Sequence, residues 1–227
     1  MLTVAVMSSR EILRRRGVLV LMIVLPLALY LVRRDLPGQS TRFLALGIGW
    51  AVSTLALFGA CAARPAEIRL RLTGMPTRTL LIGRLLAVQA AGIVLAAGYF
   101  AVVALDQDVR RLWGVAVLLA VTALVAAPVG ALLAALVPRE LEGALALLVV
   151  VSTQMLANPD GAIAPWLPFW SSRQLATYAI DGTGTADLLT GLLHAAAVMA
   201  TCLTTATAIT SARLRLTSWQ APAAGLE

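Results

Sequence analysis

Six long apolar segments, at residues 17–32, 43–63, 85–105, 112–137, 141–156 and 188–209, fill most of this chain and restrict what it can fold into. Backbone amides with no water to bond must be satisfied internally, which leaves helices or closed barrels. A barrel shows alternating segments of about ten residues, whereas these are continuously apolar, so helices are expected. Four of the six exceed the ~20 residues that cross about 30 Å of hydrocarbon. The first and fifth have only 16 residues each and need flanking residues or a thinned bilayer. Hydrophobic residues are 60% of the chain, charged ones 13%, and mean hydropathy is +0.89. Soluble domains carry about 25% charged residues, so an all-α integral membrane protein of six transmembrane helices in a single domain is expected.

The basic residues are all Arg and their placement sets an orientation. With the N-terminus inside, the inner side receives twelve: Arg10, Arg14, Arg15, Arg16, Arg64, Arg69, Arg71, Arg78, Arg84, Arg139, Arg213 and Arg215. The outer side receives six: Arg33, Arg34, Arg42, Arg110, Arg111 and Arg173. The excess predicts both termini in the cytoplasm. Tyr30, Phe43, Tyr99, Phe100, Trp113, Trp166, Phe169, Trp170 and Tyr178 gather at the outer span ends, as an interfacial belt would. A pI near 10.9 therefore reflects loop arginines that set topology, and no nucleic-acid partner is expected. No cleavage signature follows the first apolar run, so that span reads as retained. Cys61 and Cys202 lie inside apolar spans and read as small buried hydrophobes, not a disulfide or metal pair.

Absent chemistry narrows function further. The spans hold no acidic residue except Glu142 at an inner edge, and His194 is the one ionisable group deep in the apolar region. Ion-coupled carriers usually keep Asp, Glu or His there. Without a lysine, the chain has no P-loop. One His, no G-x-S-x-G elbow and no H-E-x-x-H argue against hydrolase or zinc chemistry. An energy source, where there is one, belongs to another subunit.

The inner loop, residues 64–84, reads RPAEIRLRLTGMPTRTLLIGR. With Gly74, Pro76, Thr77, Arg78 and the L-L-I-G-R run from Leu80 to Arg84, it resembles the loop between the second and third helices of type-2 ABC exporter permeases, the ABCG-like fold. An Arg-rich lead-in at 8–16 is similar to that family's elbow helix. Leu167-Pro168-Phe169-Trp170 with downstream Gly182 is similar to its extracellular re-entrant segment before the last helix. From its residues alone, the outer stretch 157–187 is too polar to span and reads as short helices at headgroup level.

The resemblance implies a cytoplasmic coupling helix at 66–73, with Glu67, Arg69 and Arg71 contacting an ATPase and Ile68 and Leu72 as anchors. Residues 67–72 (E-I-R-L-R-L) alternate strictly, a strand signature, yet Ile68 and Leu72 also share a helix face at i, i+4. An ordinary loop whose arginines only set topology is the alternative. The resemblance also implies a shared cavity between two permease copies, lined by Trp50, Thr54 and Phe58 on the second span and by Gln154 and Met155 on the fifth. Packing explains each of these residues as well. It further implies two ABC ATPase subunits that bind ATP and Mg, a second permease copy or paralogue, and no cofactor in this chain. The substrate expected is a small hydrophobic or amphipathic compound, a drug or natural product, exported across a bacterial cytoplasmic membrane.

Two further patterns carry two readings each. On the last span Thr190, His194, Thr201, Thr204 and Thr205 share a face, as a permeation stripe or as packing in which hydroxyls bond neighbours or their own backbone. Ala127, Gly130, Ala131, Ala134 and Ala135 on the fourth span form a close-packing face, with Pro128 as a tolerated kink. A carrier or channel that uses His194, and a membrane scaffold with no central path, remain open alternatives.

Overall fold

The computed structural model describes residues 7–10, 16–36, 38–72, 74–158 and 161–219, and their side chains other than those of residues 16, 68, 71, 72 and 214–219. Among the described residues the architecture is carried by α1 (Arg16–Val32), α2 (Gln39–Leu72), α3 (Thr77–Asp106), α4 (Leu112–Leu136), α5 (Glu140–Leu156), α6 (Trp170–Ala176) and α7 (Thr185–Trp219). No strand occurs among the described residues. Four stretches are long and apolar enough to cross a membrane: Gln39–Glu67, Thr77–Asp106, Leu112–Leu136 and Thr185–Arg213. The two short expected spans are helices of 17 residues each, about 26 Å at ~1.5 Å per residue. They are shorter than the four helices that are long and apolar enough to cross a membrane. Of the expected elbow helix at 8–16, residues 8–10 are helical and 11–15 lie outside the described residues.

α2 and α4 form the centre: 72% of the apolar window of α2 and 67% of that of α4 are buried, against 17% for α7. α2 packs on α1, α3, α4 and α5, while α4 also meets α3, α6 and α7. Their close approach has a covalent cause. A Cβ on Gly130 would come within 2.1 Å of the Ser53 carbonyl oxygen, so only glycine fits where the two backbones meet. Beside it the Ser53 hydroxyl donates to the Ala126 carbonyl at 2.8 Å. The small-residue face expected on α4 is the packing face, with Ala127, Ala131, Ala134 and Ala135 all buried.

The outer stretch departs from the headgroup reading. Residues Ala164–Trp166 make one 3-10 turn, then α6 and a π-turn at Thr177–Asp181 pack against α4 and α7. Ser171, Ser172, Leu175, Ala176, Tyr178 and Ala179 are buried in that packing. Ser172 reaches Thr122, ten residues along α4 from Leu112 and about 15 Å from its start. The segment enters the bundle, where Ser172 bonds Thr122 while the Ser171 and Thr183 hydroxyls are buried without a partner.

Candidate functional site

Pro65 does not end α2, and neither does the alternating pattern after it; the helix runs unbroken to Leu72. The expected coupling helix is therefore the end of α2 and not a separate element, and Thr73 lies outside the described residues. Gly74 makes the turn at φ +87°, where Met75 N–H bonds the Leu70 carbonyl and Pro76 leads into α3.

At this arginine-rich end three helices are tied by charge. Glu67 is buried and accepts a hydrogen bond from the Arg84 guanidinium of α3, forming an ion pair with both side chains about one-tenth exposed. Arg64 turns to the C-terminus of α4, where it donates to the carbonyls of Ala134 at 2.5 Å, Val137 at 2.6 Å and Pro138. The first two are orphan acceptors of the helix end, and the macrodipole there favours a cation. A cavity of about 210 Å³ lies between them, lined by Arg64, Glu67, Arg84, Ala131, Thr210 and Arg213 among others. Of the expected docking residues, Glu67 is thus turned into the bundle and Arg69 is exposed. The side chains of Ile68, Arg71 and Leu72 lie outside the described ones.

The expected path residues divide. Trp50 and Phe58 are half-buried; Thr54 is buried, its hydroxyl donating to the Trp50 carbonyl at 2.8 Å in its own helix. α5 buries Gly143, Leu147, Val151 and Gln154 along one face, and a Cβ on Gly143 would strike Leu57 of α2. Gln154 Oε1 is buried there without a hydrogen-bond partner. Met155 lies on the other, exposed face. None of the five lines either cavity at the arginine-rich end.

The stripe on α7 also divides. Thr190, Thr201, Thr204 and Thr205 are exposed. Thr201 donates to the Ala197 carbonyl and Thr204 to the Ala200 carbonyl, each at 2.8 Å, which satisfies both hydroxyls within the helix. His194 instead holds the entering segment: Nε2 is 2.9 Å from the Pro165 carbonyl, and the ring meets Trp170 edge-on at 5.0 Å. A carbonyl only accepts, so Nε2 carries the proton.

Sequence reasoning missed the polar clasp at the opposite end. Arg111 donates to the carbonyls of Thr183 at 2.8 Å and of Tyr178 and Gly182 at 3.3 Å, and its guanidinium lies 4.3 Å from the centre of the Tyr178 ring. Arg42 pairs with Asp181 at 2.5 Å. Asp106, at the end of α3, accepts from Tyr30 at 2.5 Å and from Arg34, which joins α1 to α3. The bond to Asp106 raises the Arg34 pKa above its ordinary value. An acid directly after an apolar span was the available signal for this clasp. Tyr30, Tyr99, Phe169 and Tyr178, expected in an interfacial belt, are buried braces, whereas Trp113 and Trp166 do face outward. In comparisons with known proteins the sequence matches no protein-family model and no curated protein, so a functional reading rests on the geometry above and on the loop's resemblance.

Proposed function

We propose that the chain is a permease subunit of an ATP-driven exporter of the type-2 ABC kind, in a bacterial cytoplasmic membrane with both termini inside. It works with a second copy or paralogue and two ATPase subunits that bind ATP and Mg, and it moves a small hydrophobic or amphipathic compound outward. The observation that carries this reading is α2. It continues past its apolar part as one helix to Leu72, about 14 Å beyond Ala63, and is tied near that end to both α3 and α4. A push on residues 69–72 would therefore move three helices together, which is what coupling to an ATPase requires. Exposed Arg69, with Arg71 two residues on, suits an acidic partner groove. The carrier alternative is weakened because His194 is engaged with Pro165 and Trp170.

The test is a gentle-detergent purification of the tagged chain from native membranes with mass spectrometry of what accompanies it. A near-stoichiometric P-loop ATPase is expected, lost in the Arg69→Glu, Arg71→Glu double variant, which leaves the buried Glu67–Arg84 pair intact. No ATPase with the native chain in any of several detergents would overturn the reading.

A further inference from the structure

A second, larger cavity lies on the outside of the bundle. It is a groove of about 910 Å³ between the start of α3 and the later part of α7, within the size range of small-molecule sites. Arg78, Ile82 and Leu85 line one wall and Leu203, Thr207 and Ser211 the other. The helices run antiparallel here, so Arg78 and Ser211 mark one end of the groove, while Leu85 and Leu203 mark the other about 10 Å deeper. Although threonines line it, the deeper part is chemically apolar. Thr204 and Thr207 donate their hydroxyls to the Ala200 and Leu203 carbonyls at 2.8 and 2.6 Å.

The charge at the shallow end is unanswered. Arg78 is exposed and has no hydrogen-bond or ion-pair partner among the described residues, and no acidic residue lines the groove. The groove opens sideways between the two least buried of the four apolar helices, 33% and 17%, where a bilayer would surround it. A guanidinium at the end of a span with an apolar channel beneath it matches a phosphate joined to an acyl chain.

We infer that this groove binds one anionic phospholipid, with the phosphate on Arg78 and an acyl chain running past Ile82 and Leu85 against α7. A zwitterionic headgroup gains less, because no carboxylate is present to receive its cationic part.

The full chain, purified in detergent and titrated with dioleoyl phosphatidylglycerol or dioleoyl phosphatidylcholine, is examined by native mass spectrometry. One phosphatidylglycerol per chain should be retained about fivefold better than phosphatidylcholine, because both phosphates can accept from Arg78 but choline sets a cation beside it. Arg78→Gln should abolish that preference yet still hold lipid. Ala208→Trp, which fills the groove, should remove retained lipid of both kinds. Equal retention of both lipids by the native chain overturns the inference, as does a preference that survives both substitutions. Copy-to-copy cross-linking through Ala208→Cys in a chain that retains no lipid also overturns it, since the groove is then a protein–protein face.

Discussion

Thr122 of α4 and Ser172 of α6 face each other across a 2.8 Å hydroxyl–hydroxyl hydrogen bond with both side chains buried. Thr122 also bonds the Leu118 carbonyl at 2.7 Å, so a chain of three groups anchors the entering segment in the bundle. Thr122→Val should destabilise the protein by about 1–2 kcal/mol, because it leaves the Ser172 hydroxyl buried without its partner. Adding Ser172→Ala should recover part of that loss. Thermal unfolding in detergent of both single variants and the double variant closes the cycle; strict additivity would show that the two hydroxyls do not interact.

The crossing of α2 and α4 gives an internally controlled pair. Gly130→Ala places a methyl against the Ser53 carbonyl and should cost about 1–3 kcal/mol, with loss of the Ser53–Ala126 bond. Gly98→Ala on α3, with nothing within 4 Å of the new Cβ, should be neutral or stabilising by up to about 1 kcal/mol. Of the two midpoints of unfolding, only that of Gly130→Ala should fall.

Breaking the Glu67–Arg84 pair from one side should be worse than removing it altogether. Glu67→Gln leaves Arg84 nearly buried and unpaired, at about 3–5 kcal/mol. The Glu67→Gln, Arg84→Gln double variant should be closer to the native protein in yield and thermal midpoint. A double variant no better than the single one would mean that the pair carries no coupling between α2 and α3.

His194→Leu removes the donor to the Pro165 carbonyl and the edge contact with Trp170. Hydrogen exchange should rise about tenfold or more around residues 161–168, as one net hydrogen bond and a ring contact are lost. Exchange along α2 should stay unchanged. Unaltered protection in 161–168 would return His194 to candidacy as a coupling group.

The course of α2 shows where local pattern loses to context. Residues 67–72 alternate as a strand does, but a lone strand end has no ladder to join, while the helix already running from Gln39 satisfies each new amide at once. The docking role expected for Glu67 depended on which way one carboxylate points. That direction followed from Arg84, seventeen positions away, and only folding brings the two together. The packing of the outer stretch into the bundle was not legible, because its Ser, Thr and Arg count as polar until partners such as Thr122 are known.

Sequence alone determined that the chain is helical, apolar and punctuated by arginine, because continuous apolarity and charge spacing are local properties that the helical period converts directly into spans. The small-residue face of α4 was legible for the same reason, since residues at i, i+3 and i+4 share a surface wherever the helix lies. Tertiary structure decided which polar groups are answered from within: Arg64 by the end of α4, His194 by Pro165, Arg111 by the Gly182 turn. Each of these partners is a backbone carbonyl. Every residue carries that group, so no sequence pattern marks the one that will be left without a helical donor and within reach.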